Sequence, residues 1–157
     1  MAEESPAPED EGKQLLLQKI YVKDLSFESP RAPDCFSENL NPETQLNIRS
    51  NARQVGPDNH EITLTLNVEA KADDKTLFIC ELQQAGVFLI KGYSEQEQRM
   101  LVGSFCPSTL YPFAREAIAD MVAKGGFPQL LLQPINFDAL YAQALQQGQP
   151  ASPATVN

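Results

Sequence analysis

The sequence predicts an α+β domain, a four-stranded antiparallel sheet with helices packed on one face. Three observations carry this. Segments alternating with period two fill the chain as far as residue 90, and segments with helical periodicity follow them. The cleanest strand sets apolar against polar residues throughout, which leaves one sheet face wet. A chain of 157 residues with 42% hydrophobic content is one domain's worth and long enough to bury a core.

Residues 15–28, LLLQKIYVKDLSFE, read as a long first strand. In its second half Tyr21, Leu25 and Phe27 share one face, and Val22, Asp24, Ser26 and Glu28 take the other. Residues 29–43 carry three prolines and an Asn-Pro, the composition of a crossing loop. A weaker strand over 44–54 turns Leu46 and Ile48 inward, and Gly56-Pro57-Asp58-Asn59 is turn chemistry. Residues 60–70 direct Ile62, Leu64, Leu66 and Val68 inward, and Glu61, Thr63, Thr65, Asn67 and Glu69 outward. Asp73-Asp74 turns the chain into a fourth strand over 76–90 that ends apolar on both faces. Beside a half-wet sheet, that second apolar face suggests burial against another copy of the chain.

The helices come next. Ser94-Glu95-Gln96-Glu97 has the form of a capping box. Either Pro107 or Pro112 opens a long helix; an interior proline kinks a helix, so the two are not expected to share one straight helix. Phe113, Ala114, Ala117, Ile118, Met121 and Val122 form its apolar stripe, and Gly125-Gly126 ends it. Asn136 is a good N-cap for a last helix carrying Phe137, Leu140, Tyr141, Ala144 and Leu145 on one stripe. The folded domain is therefore expected over 13–147, between a flexible acidic tail at 1–12 and a flexible tail at 148–157.

The net charge is −9, and five acids with no base fall in the first eleven residues. An acidic balance argues against nucleic acid, where basic patches supply most of the affinity, and favours basic partners. The N-terminus lacks the positive flank and apolar run of a secretory signal, and no apolar stretch approaches the roughly 18 residues of a membrane helix. A soluble, cytoplasmic protein is expected, without membrane insertion. Cys35, Cys80 and Cys106 have no paired spacing and read as small buried hydrophobes in a reducing compartment.

Reactive chemistry is sparse. The single histidine, His60, falls in a turn and reads as a solvated residue. No ligand cluster with metal spacing and no phosphate-cradling glycine loop is present, so no metal or cofactor is expected. Asp24 and Glu28 share a strand face about 13 Å apart, long for two carboxylates handling one water. Catalysis is not expected. A protein-docking patch is an alternative: Glu81 lies on the fourth strand with Ile79 on the same face, and with Asp24 and Glu28 they could form an acidic plate with one apolar contact. Such a plate suits a basic or zinc-bearing partner and raises the association rate more than the affinity.

One stretch, Cys106 to Tyr141, carries dense motifs: Cys106-Pro107, Pro112-Phe113-Ala114-Arg115-Glu116, Gly126-Phe127-Pro128, and Pro134-Ile135-Asn136-Phe137-Asp138-Ala139-Leu140-Tyr141. It resembles the SecB family of bacterial protein-export chaperones, and IYVKDLSFE and FICELQQAG extend the likeness. The resemblance covers about residues 18–147. It implies an ATP-independent chaperone that holds unfolded precursor proteins and delivers them to SecA, the motor ATPase of export. It implies a homotetramer built as a dimer of dimers. The zinc-bearing tail of SecA would dock on Asp24, Glu28, Ile79 and Glu81, the zinc belonging to the partner. Unfolded polypeptide would enter a groove between the Pro30–Pro42 loop and the last helix, lined by Phe36, Leu40, Phe137, Leu140 and Tyr141. At the Leu40 position the better-known members are expected to carry tryptophan; leucine offers less stacking surface. Two rival readings are a SecB-like chaperone dedicated to one client, such as an antitoxin, and a small-molecule enzyme using Asp24 and Glu28.

Overall fold

The computed structural model describes residues 12–148 and, for the backbone alone, 154–156. Four long strands, β1 (Gln14–Glu28), β2 (Glu43–Gln54), β3 (Asn59–Ala72) and β4 (Lys75–Lys91), form an antiparallel sheet in the order β1-β4-β3-β2. A short β5 (Ala154–Val156) adds to β2, so the four-stranded sheet gains a fifth member from within the segment expected as a flexible tail. The acidic segment before Gly12, residues 149–153 and Asn157 lie outside the described residues.

The inner face of the sheet is the core. Phe27, Cys80, Val68 and Leu46 align across β1, β4, β3 and β2, and Leu25, Leu82, Leu66 and Ile48 form the next row. Leu64, Leu66, Val68 and Cys80 have no exposed surface at all, given as 0%. Burying such side chains contributes about 1.5–3 kcal/mol each, which is why the alternation in β3 was so legible.

Two face assignments, those of Tyr21 and Val22, differ from the period-two reading. Pairing of β1 with β4 slips between Val22 and Asp24, where Val22 faces Gln84 and Asp24 faces Gln83. The bulge shifts the side chains from Lys19 to Val22 to the other face, and a second slip between Leu17 and Lys19 restores the parity before it. Tyr21 therefore lies opposite Ala85 on the outer face, not with Leu25 and Phe27. The buried Gln84 amide donates to the Tyr21 carbonyl at 3.1 Å, satisfying a group the bulge takes from the ladder. The outer face is also less wet than alternation implies, since Glu61 and Thr63 are buried.

Helix α1 (Glu95–Met100) starts at Ser94, whose hydroxyl accepts from the Glu97 amide at 3.2 Å, as the capping box predicts. A π turn over Leu101–Phe105 joins it to α2 (Cys106–Lys124). Both prolines lie in α2, Pro107 in its first turn and Pro112 inside; the expectation was that they would not share one straight helix. The wide turn upstream already breaks the i to i−4 ladder before Pro107. Pro112 and Ser108, four residues earlier, are both exposed, so the unpaired turn faces water. Helix α2 lies on the inner face against β4, β3 and β1, burying Leu110, Ala114, Ile118 and Val122. Gly126 ends it with φ +89°, a left-handed conformation that favours glycine. After an extended return, Asn136 caps α3 (Phe137–Gln146), its Oδ1 accepting from the Ala139 amide at 3.0 Å.

Candidate functional site

The register of β1 with β4 assembles the acidic plate. Glu28 stands opposite Ile79, Ser26 opposite Glu81, and Asp24 opposite Gln83. Glu81 thus sits between the rows that carry Asp24 and Glu28, all on the outer face. Asp24, Glu28 and Glu81 are exposed and Ile79 is half-buried. Among the described residues no cation forms an ion pair with any of the three carboxylates. The register adds a residue the sequence reading did not place in the plate: Glu69 of β3 lies opposite Ile79, accepting from the Thr76 hydroxyl at 2.9 Å. Its outward position on β3 was the available signal. Asp24 and Glu28 are held apart by the intervening Ser26–Glu81 row, so they share no common point at which to act on one substrate.

The five apolar candidates fall into separate places. Phe36 stands in a 3-10 turn (Asp34–Ser37) and is 49% exposed. Its ring packs on Phe127 at 5.3 Å, and Phe127 in turn packs on Phe78 at 5.0 Å and Phe27 at 6.4 Å. The Phe36 ring also covers Gly126, where an added Cβ would approach it to 3.1 Å. Phe36 therefore stands over the C-terminal end of α2, where a position over α3 was expected. Tyr141 lies toward the other end of the helix run. Its ring rests on Gly103, where any Cβ would come within 2.5 Å. Gly103 and Gly126 are separated by about 34 Å at 1.5 Å per helical residue, so Phe36 and Tyr141 do not line one subsite.

Phe137 is buried, 6% exposed, with its ring edge-on to Tyr111 at 5.6 Å. The Tyr111 hydroxyl donates to the Gln133 carbonyl, tying the return segment to α2. Phe137 therefore supports α3 from below, as core. Leu40 and Leu140 are half-buried against the same core. Tyr141 instead borders an open cleft of about 610 Å³ with Met100, Arg99 and Leu145; Met100 and Leu145 are 53% and 59% exposed. Met100 and Leu145 are the residues the sequence reading missed. Leu145 was on the predicted stripe, but which side of α3 faced out depended on where α1 ends.

The remaining reactive groups are engaged or masked. His60 opens β3, is half-buried, and its Nε2 lies 2.9 Å from the Gln98 side-chain nitrogen, so it is not a solvated turn residue. All three cysteines are buried; burial pushes the Cys80 thiol up to about 11 and the Cys106 thiol up to about 12, disfavouring the reactive thiolate.

Residues 8–148 match the family described as preprotein translocase subunit SecB. The chain is 50% identical to the protein-export protein SecB of Nitrosococcus oceani over 145 residues, covering 91% of this chain and 88% of that one. It is 46% identical to that of Methylococcus capsulatus over 157 residues, covering 98% and 99%. In fold it is similar to the Mycobacterium tuberculosis Rv1957 SecB-like chaperone solved with a ChAD peptide from the Rv1956 HigA1 antitoxin, with a TM-score of 0.61 and 15% identity over 77% of this chain and 90% of that chain. On this match in sequence, length and fold, the chain belongs to the SecB family of protein-export chaperones.

Proposed function

We propose that this chain holds unfolded precursor proteins without using ATP and passes them, in the cytoplasm, to the motor ATPase SecA. The observation that carries the docking half is the β1–β4 register, which interleaves Glu81 and Ile79 with Asp24 and Glu28. An acidic plate whose Asp24, Glu28 and Glu81 have no ion-pair partner among the described residues, around one apolar contact, favours a basic, zinc-bearing tail, which supplies its own metal. Acidic surface attracts such a partner over roughly 8 Å at physiological salt. Release then comes from the partner's competition and its own ATP use.

The client-holding half rests on apolar surface left along the helices. Phe36 at one end and Tyr141, Met100 and Leu145 at the other mark a path tens of ångströms long rather than a single pocket. Many weak apolar contacts along such a path suit varied sequences, because apolar attraction is non-directional. Assembly into a dimer of dimers is supported by the sheet edge: β1 has β4 on one side only, and it exposes Leu16, Leu17 and Val22 at 56%, 39% and 48%. The doubly apolar end of β4 lies between β1 and β3, with Ala85 fully covered, so the free apolar surface belongs to β1.

Export relatives at 46–50% identity favour this reading over a chaperone devoted to one antitoxin, whose solved example shares the fold alone. Charge reversal by Glu81→Lys, with Glu28→Lys as a second variant, tests it. SecA retention in a pull-down should fall at least tenfold, while suppression of aggregation of an unfolded precursor is unchanged. Undiminished SecA retention by both variants would remove the plate from the docking site.

A further inference from the structure

The outer sheet face carries a second charged feature, opposite in sign to the plate and adjoining it. Lys23, Arg49 and Arg53 surround an open cleft of about 510 Å³, with Glu61, Thr63 and Thr65 of β3 at its floor. Among the described residues Glu61 is the one carboxylate lining it, and its charge is already engaged. It accepts from the Tyr21 hydroxyl, from Lys23 at 2.9 Å and from Arg53 at 3.3 Å. These hydrogen bonds, that from Tyr21 foremost, hold its carboxyl below the usual range, so it stays ionised. Three cations thus surround one carboxylate and leave the lining net positive. Arg49 is exposed and has no ion-pair partner among the described residues. The side chains of Thr63, Thr65, Asn51 and Gln83 add hydrogen-bond donors. The chemistry is that of a site for a carboxylate.

The sheet register says which carboxylates fit. Arg49 stands opposite Thr65, Thr65 opposite Gln83, and Gln83 opposite Asp24, so one row runs from the cleft to the plate. Gln83 lines the cleft and neighbours Asp24. Arg49 and Asp24 are three strand spacings apart, about 14 Å, which about four extended residues span. A polyanion long enough to overrun the cleft would meet Asp24 and Glu81 beside it, where like charges repel. A uniformly basic segment gains at the plate and loses at the cleft. A segment with a carboxylate about four residues from its basic stretch gains at both, and in one direction only, because the two charge patches differ in sign.

We infer that the cleft of Lys23, Arg49 and Arg53 receives a carboxylate of the same partner tail whose basic stretch meets the plate, and so fixes the direction in which that tail crosses the sheet. This rests on SecA docking at the plate. An acidic side chain or the terminal carboxylate of the tail satisfies it equally. Zero-length carbodiimide cross-linking of the full chain to intact SecA, read by peptide mass spectrometry, reports both contacts at once. Asp24, Glu28 or Glu81 should join lysines of SecA, and Lys23 should join a SecA carboxylate within about six residues of those lysines. Both products should fall at least fivefold in 1 M NaCl, since the contacts are ionic. Retention in a pull-down adds a test of sign. Against a tail of positive charge alone, Arg49→Glu makes the face more attractive and raises SecA retention. With a carboxylate in the cleft, Arg49→Glu should lower retention at least fivefold and remove the Lys23 product, and Arg49→Lys should stay close to the parent. Arg49→Glu breaks no ion pair of the described residues, and circular dichroism checks that the variant folds. Plate products without Lys23 products, or retention unchanged or raised by Arg49→Glu, would overturn the inference and leave SecA docking intact. Lys23 products without plate products, or on a distant SecA peptide, would overturn it by separating the two sites. Loss of both product classes would remove the docking reading and this inference together.

Discussion

The Tyr21 hydroxyl donates to the Glu61 carboxylate on the outer face, joining β1 to β3 across the intervening β4. With Lys23 and Arg53 on the same carboxylate, the bridge covers the strand end where Ala85 is fully buried. It exists only because the bulge turns Tyr21 outward. The Tyr21 hydroxyl is pushed up to about 12 by burial first and then by its bond to Glu61, and Glu61 is correspondingly held low.

A pH dependence follows from the sign of the Glu61 shift. A carboxyl held below its ordinary value of 4.5 stabilises the fold fully above that pH, and the contribution is lost as pH falls through the folded value. Glu61→Gln should cost roughly 1.5–3 kcal/mol at pH 7, the range for a hydrogen bond to a charged group. The deficit relative to the parent should shrink as pH drops below 4.5. Urea unfolding at pH 7 and pH 3.5 measures both; a deficit of equal size at the two values would show that the Glu61 charge does not matter.

Phe127→Ala should loosen the crossing loop as well as the core. The ring contacts Phe36, Phe78 and Phe27, and so joins the loop to the sheet. Truncation of a half-buried phenylalanine should cost about 2–3 kcal/mol, below the 3–5 of a fully buried one. Amide exchange in residues 31–38 should accelerate at least tenfold, beyond what the global loss explains. Exchange rising there only in proportion to global stability would mean the loop is held by other contacts.

Gly103→Ala and Tyr141→Asp separate a client surface from mere packing. An alanine Cβ would come within 2.5 Å of the Tyr141 ring and force it away from the helix. If the Tyr141 cleft holds client, both changes should reduce suppression of precursor aggregation several-fold while the far-ultraviolet spectrum is kept. Leu140→Asp, half-buried against the core, should instead unfold the last helix before it affects capture. Normal suppression by both Gly103→Ala and Tyr141→Asp would assign Tyr141 to packing.

These contrasts show where the sequence could be read and where it could not. Ile62, Leu64, Leu66 and Val68 declared β3 because each sits on a fully buried face with polar neighbours between them. The caps at Ser94 and Asn136 were legible because one side chain meets one amide within three residues. Tyr21 was misplaced because a bulge adds a single residue without a composition signal. The plate was recoverable from strand parity, yet Glu69 entered it only through the β3–β4 register. The apolar candidates were the least legible, since one helical stripe mixes core, as at Phe137, with surface, as at Leu145. Which half is which depends on the path of the return segment after Gly126, a tertiary feature no local pattern encodes.

Assembly supplies the last prediction. An edge strand with exposed apolar residues is a ready template for pairing with another chain, and monomeric proteins blunt such edges. β1 is blunted only in part: it has two slips and two lysines, yet Leu16 is 56% and Val22 48% exposed on a strand of 15 residues. Native mass spectrometry of the 17.3 kDa chain should show a four-copy species, joined by an unfolded precursor when one is supplied. Leu16→Glu with Val22→Glu places two charges at exposed edge positions, Leu16 opposite Leu89 on the outer face and Val22 opposite Gln84 on the inner, so each chain should keep its fold, which circular dichroism checks, while the four-copy species gives way to smaller ones at micromolar concentration. If the tetramer survives that change, another surface holds the copies together; if the parent is monomeric, the exposed residues of β1 serve client or partner instead.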